Sequence, residues 1–292
     1  MKKLALIASA LLLGACANQT TDSGSASKSS LSKENTQRLT AITQSLPAEQ
    51  QARYAARHPI ETLSFFGVKP GDTVVEVLPG DGWYSKILVP YLGKNGQLIG
   101  VDYNLDLWPK FGSWANAEFM EGRKRWPTEW STNAKTWGGN DGAAAQAYTF
   151  ATLPANLTGK VDKVLFIRAL HNLVRFEKEG AYLTQALSET HRLLKPGGLV
   201  GVVQHAISED KPESQATGEM GYLKRSTIIA AMDKAGFTLI GESDINKNPK
   251  DNPQAGENVW RLPPSLQAAD ADKPKYQAIG ESNRVTLLFQ KR

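Results

Sequence analysis

The stretch VVEVLPGDGWYSKIL, residues 74–88, constrains the fold more than any other part of the chain. Its β-branched start predicts a buried strand, the Pro-Gly-Asp-Gly segment a tight turn, and the remainder a helix. A glycine turn between strand and helix lets backbone come close to a ligand, and the helix N-terminus favours an anionic group. Twenty residues past Gly82 the next apolar run, GQLIGVDYN, carries Asp102 at its end. An acid there can accept hydrogen bonds from both hydroxyls of a ribose. Gly80-x-Gly82 is only part of a dinucleotide fingerprint, because Leu78 stands where the first glycine belongs. A tight turn without a ligand would use the same two glycines, and Asp102 could equally cap a helix.

The rest of the chain repeats the alternation. Strand patterns at VDKVLFIRALHNL, LVGVVQH, TLIGESD and RVTLLFQKR alternate with helical ones at EGAYLTQALSETHRLL and STIIAAMDKAGF. Strands alternating with helices predict a mostly parallel sheet with helices on both faces. The chain has 292 residues, 41% of them hydrophobic and 22% charged, which suits one large domain plus tails. Residues 58–292 are the expected domain. Residues 32–57 read as N-terminal helices, with Ser32 and Asn35 at the start of the first and Pro47 at the start of the second. About sixty residues separate Asp102 from Val161, and they hold five of the seven tryptophans. That is long for a strand-to-helix connection, so residues 105–150 read as an insertion. Its rings make either a satellite core or a lid over a pocket.

The N-terminus points elsewhere. MKK is a short basic start, and LALIASALLLGA is an apolar run too short to span a bilayer. Leu13-Gly14-Ala15-Cys16 resembles the bacterial lipobox. The resemblance implies cleavage after residue 15, acylation of Cys16 and, with Ala17 next, an outer-membrane location facing the periplasm. Residues 16–31 are Ser/Thr-rich and read as a flexible tether. Cys16 is the one cysteine, so no disulfide forms within the chain. The net charge of +5 becomes 5 − 2 = +3 without Lys2 and Lys3, too little to argue for nucleic acid.

Glu76-x-x-x-Gly80-x-Gly82, Asp102, and LLKPGGLV are similar to the class I S-adenosylmethionine-dependent methyltransferases. A closer resemblance is to a bacterial group of predicted methyltransferases that share RHPIETLSFFGVKPG, PGDGWY, RALHN, NKNPKDNP and VWRLPPSL in this order. It runs from about Arg53 to the C-terminus. The chain departs from that group at Asp81, where Gly is usual, and at Leu173, where Trp is usual. The resemblance implies a Rossmann-like, seven-stranded sheet with the last strand inserted antiparallel. It also implies S-adenosylmethionine as cofactor, with Glu76, Gly80 and Gly82 around its methionine part and Asp102 on its ribose. Trp83 and Tyr84 follow the turn. Their rings either attract the sulfonium cation or simply pack at a helix start.

Arg168, His171 and Asn172 follow the fourth strand of such a sheet, and Gln204 and His205 end the fifth. Ligands bind outside the carboxyl ends of these strands. His171, with His205 and Arg168 near it, is therefore the expected catalytic group, a base near its ordinary pKa of about 6.5. Arg168 would hold an anionic group of the methyl acceptor or pair with an acid such as Glu61. A capping turn at His171-Asn172 is the plain alternative. No His/Cys/acid cluster has metal-ligand spacing, and no Gly-x-Ser-x-Gly elbow is present. The expected function is a lipid-anchored envelope methyltransferase with a small-molecule or envelope acceptor. The alternative is a non-enzymatic lipoprotein that binds a small molecule or partner on the same fold.

Overall fold

The computed structural model describes residues 31–292. The signal at 1–15, the lipidation site Cys16 and nearly all of the tether lie outside the described residues. Among the described residues are eight strands and eleven α-helices. Four helices precede the sheet: α1 (Lys33–Ser45), α2 (Ala48–Gln51), α3 (Tyr54–Arg57) and α4 (Pro59–Phe65). Ser32 caps α1, its side chain accepting from the Asn35 amide at 3.2 Å. The strands are β1 (Thr73–Val77), β2 (Gln97–Asp102), β3 (Ala144–Thr149), β4 (Val161–Ile167), β5 (Leu194–Ile207), β6 (Leu223–Lys224), β7 (Phe237–Ser243) and β8 (Arg284–Lys291). Between them run α5 (Ser85–Leu92), α6 (Ala117–Trp137), α7 (Leu170–Arg175), α8 (Glu177–Gly180), α9 (Tyr182–Leu193), α10 (Arg225–Lys234) and α11 (Lys273–Ile279).

The sheet order is β3-β2-β1-β4-β5-β8-β7, with the two-residue β6 beside β5. The pairs from β3 through β5 are parallel, and the last strand, β8, runs antiparallel between β5 and β7. One apolar layer lies under α1, α4, α5 and α6, and the other under α7, α9 and α10. This is an α/β sandwich, and it brings the carboxyl ends of β1, β2, β4 and β5 to one edge.

The Trp-rich segment after β2 is built into this sheet. It holds the crossover helix α6, 21 residues long, and the edge strand β3. Strand β3 is hard to read because AAQAYT has little β propensity. It forms as an edge strand whose Ala145, Ala147 and Thr149 face inward. Their smallness has a partner. The Trp130 indole lies 3.2 Å from where a Cβ on Gly100 would sit, so small residues on β2 and β3 make room for one large ring.

Candidate functional site

The carboxyl edge has two halves. The first is the turn after β1 with the end of β2. Leu78, at the place of the missing glycine, adopts a glycine's backbone with φ 52°. Gly80 (φ 57°) is exposed, and nothing lies within 4 Å of the position a Cβ would take. Gly82 (φ 78°) is different. A Cβ there would meet the Trp137 ring at 2.6 Å, so the last residue of α6 fills the space that glycine leaves. Asp81 is exposed.

Asp102 is 1% exposed and its carboxylate is already engaged. Its Oδ2 pairs with Arg123 of α6 at 3.0 Å, and its Oδ1 accepts the Tyr103 amide at 2.8 Å. Burial pushes its pKa up to about 6 despite the Arg123 charge. The Arg123 guanidinium in turn sits 5.0 Å from the Trp108 ring and 5.3 Å from Trp126. Glu76 is buried and accepts from Ser85 Oγ at 2.6 Å. Burial raises its pKa to about 8, against the pull of Ser85 and Arg168.

Trp83 and Tyr84 face the N-terminal helices. The cation over Trp83 is Arg57, 4.6 Å from the ring centroid. Tyr84 is buried, and its hydroxyl donates to the Arg57 carbonyl at 3.3 Å. The packing alternative describes both rings as they stand.

The second half is a cavity of about 290 Å³ at the ends of β4 and β5. Leu78, Ile167, Arg168, His171, Asn172 and His205 line its floor. Its roof is the segment 259–265, including Trp260, Leu262, Pro263 and Pro264, and Glu281 and Ser282 close one side. No residue of the Trp-rich segment lines it, so of the two alternatives the lid does not describe that segment at this cavity. The VWRLPPSL motif does that work instead. It is held by a buried pair, Arg261 with Asp251 at 2.9 Å, and Tyr222 hydrogen-bonds to both. Trp260, Glu281 and Ser282 are the lining residues that sequence reasoning passed over. The quoted motif marked only the first, with no chemistry attached.

His171 and His205 do come together, with ring centroids 5.6 Å apart. His171 is buried in the first turn of α7, so the capping alternative does not describe it. Gln204 Nε2 donates one hydrogen to the Gly221 carbonyl at 3.1 Å, which identifies it as the amide nitrogen and leaves its second hydrogen free. The same nitrogen lies 3.3 Å from His171 Nδ1, which must therefore accept. Neutral His171 then carries its proton on Nε2. Burial first, with the Arg168 charge acting in the same sense, lowers its pKa to about 4. His205, its Nδ1 bonded to Ser282 Oγ at 2.6 Å, is lowered well below 6.5 by burial and then by His171. The expectation of a base titrating near 6.5 is thus corrected: His171 is a neutral hydrogen-bond donor.

Arg168 also has a left-handed backbone, φ 61°, so two of the five strained non-glycine residues border this cavity. Its guanidinium has no hydrogen bond or ion pair among the described residues, and Glu61 is exposed on α4. Leu173, the other departure from the resembling group, is buried in the core.

No protein-family model matches the chain, and no curated protein does. Solved structures are similar in fold. The [4+2]-cyclase SpnF is 14% identical over 81% of each chain, with a TM-score of 0.50. A SAM-dependent methyltransferase from Aquifex aeolicus is 15% identical over 87% of this chain and 98% of that one, with a TM-score of 0.47. A 1,6-didemethyltoxoflavin-N1-methyltransferase from Burkholderia thailandensis, solved with S-adenosylhomocysteine bound, is 12% identical over 88% and 87%, with a TM-score of 0.44. The chain has a mixed α/β, Rossmann-like fold with a mostly parallel sheet, similar to that of SpnF.

Proposed function

We propose that the protein is an S-adenosylmethionine-dependent methyltransferase, anchored in the cell envelope through lipid on Cys16 and facing the periplasm from the outer membrane. One observation carries the enzymatic part. Leu78 both continues the glycine turn after β1 and lines the cavity that holds Arg168, His171 and His205. A cofactor over that turn and an acceptor in that cavity would be neighbours.

The donor set suits the cofactor once α6 gives way. Gly80 offers open backbone, and Asp102 stands at the end of β2 to take the ribose hydroxyls when Arg123 releases it. The cofactor supplies an electrophilic methyl group on sulfur. The chain supplies position. Its apolar roof excludes water, and His171 Nε2–H and Arg168 orient the acceptor. Neither histidine is basic enough to take a proton readily at pH 7. The acceptor that suits this edge is one that needs no deprotonation before it reacts.

A second reading has a specific observation behind it. Trp137 on Gly82 and Arg123 on Asp102 hold the cofactor's places with the chain's own side chains. That favours a binding protein on a methyltransferase-like fold. Calorimetry with S-adenosylmethionine and S-adenosylhomocysteine separates the two. Micromolar binding that Asp102→Ala weakens by about tenfold or more supports the enzyme. No binding by the folded wild type supports the binding protein. Labelled fatty acid should enter the wild type in cells and not Cys16→Ser; an unlabelled wild type would remove the anchor.

A further inference from the structure

We infer that the cavity at the ends of β4 and β5 binds a small organic carboxylate, with its charge on Arg168 and its apolar body under Trp260 and Pro264. The inference names the acceptor's chemistry in the proposed site and rests on that reading only for the role of acceptor. The binding itself needs no cofactor.

Four guanidiniums, those of Arg53, Arg57, Arg168 and Arg284, surround one ionised carboxylate, Glu281. Glu281 is shared. Arg53 pairs with its Oε1 at 2.5 Å, Arg57 with its Oε2 at 3.3 Å, and Arg284 with its Oε2 at 3.3 Å. Arg284 also donates to the carbonyls of Ser282 and Ala56, and Arg57 lies on the Trp83 ring. Those three guanidiniums are occupied. Arg168 has none of this, and it lies close enough to Arg284 that, after burial, that charge is the next cause lowering its pKa, to about 10. The other acid near it, Glu76, is protonated at neutral pH because burial raises its pKa to about 8. One guanidinium on the cavity wall therefore has no hydrogen bond or ion pair of its own among the described residues, and Glu281, whose charge acts on it, is already shared by three others. A partly buried cation without a hydrogen-bond partner carries a desolvation cost, and an anionic ligand lowers it.

The remaining lining narrows the class. Guanidinium recognises carboxylate through paired parallel hydrogen bonds. His171 adds a neutral donor, its Nε2–H having no partner among the described residues. Beyond these the apolar walls include Leu78, Ile167, Trp260, Leu262 and the two prolines, while Asn172, His205, Glu281 and Ser282 add polar surface. An unpaired guanidinium on a cavity of about 290 Å³ with both polar and apolar walls fits a small anion with a hydrocarbon or aromatic body.

The test is calorimetry on the cofactor-free protein with benzoate, phenylacetate and hexanoate, each beside its alcohol, and with phenyl phosphate. At least one acid should bind about tenfold or more tightly than its alcohol, the scale of a charge-assisted hydrogen bond. Quenching of Trp260 fluorescence should follow the same isotherm, and Trp260→Phe should abolish that signal. Arg168→Gln should remove the preference, and Arg168→Lys should keep part of it. Acids that bind no better than their alcohols overturn the inference, as does a folded Arg168→Gln with unchanged affinity. Tighter binding of phenyl phosphate overturns the carboxylate class. If Arg168→Gln does not fold, the acid–alcohol comparison in the wild type decides alone. Carboxylate binding by a protein that ignores S-adenosylmethionine would sink the methyltransferase reading and leave this one standing.

Discussion

The two halves of the sheet edge have opposite electrostatic fates. At the end of β2 a buried acid, Asp102, is answered by Arg123, and the space beside Gly82 is filled by Trp137. At the end of β4 a guanidinium, Arg168, has no hydrogen bond or ion pair among the described residues and lines a cavity, with Glu281 near it but held by three other guanidiniums. The difference comes from what covers each half. Helix α6 is long enough to bring both a cation and an indole over β1 and β2. The strap at 259–265 brings mostly apolar side chains, and no charged one, to the cavity over β4 and β5. A site can thus be complete in residue types and still differ in which of its groups are free to meet a ligand.

The largest expected effect breaks the shared acid of the guanidinium cluster. Glu281→Ala leaves Arg53, Arg57 and Arg284 without their carboxylate and should cost about 3–5 kcal/mol in urea unfolding. A cost under about 1 kcal/mol would mean that the guanidiniums are solvated, and the contrast between the two halves would lose its basis.

The next concerns pH. Glu76 has a folded pKa raised to about 8, from an ordinary 4.5. The folded state therefore holds a proton that the unfolded state has lost, and stability falls as pH rises through that interval. Asp102 acts in the same sense up to about 6, whereas His171 and His205 act oppositely below 6.5. Between pH 6.5 and 8 Glu76 is the one of these four that changes. Wild-type stability should decline across that window, and Glu76→Gln should flatten the decline. The variant should end about 1–2 kcal/mol more stable at pH 8, since a pKa unit is worth roughly 1.4 kcal/mol. A variant with the wild-type slope would assign the decline to another group.

Arg123→Met sharpens the comparison directly. It frees Asp102 while keeping the apolar stem against Trp108 and Trp126. S-adenosylmethionine should bind about tenfold tighter in calorimetry, equal to about 1.4 kcal/mol. Weaker or unchanged binding would show that Arg123 does not compete for Asp102. The smallest effect is expected at Trp114, which is 53% exposed at the edge of an aromatic cluster. Trp114→Ser should change stability by less than about 1 kcal/mol and leave carboxylate affinity unchanged. A large loss of affinity would restore the Trp-rich segment as a lid.

Much of the fold is legible in the sequence because its signals are local. The β-branched runs at β1, β2 and β4 and the glycine turn at Gly80 each state their structure within a few residues. Strand β3 is not legible, because its alanines become a strand only when β2 offers hydrogen bonds and Trp130 covers them. Candidate site residues are legible as types at strand ends, but their states are not. That His171 would be a donor depends on Gln204, 33 residues away, and on the Gly221 carbonyl that identifies its nitrogen. That Asp102 would be engaged depends on Arg123, carried there by a helix whose length reads from sequence as an insertion. The strand–turn–helix pattern and the residue types at the edge were determined by the sequence itself, since backbone preference and hydrophobic period act between near neighbours. Protonation, pairing and accessibility were decided only by the tertiary structure, because burial and charge are set by groups that the chain brings together from far apart.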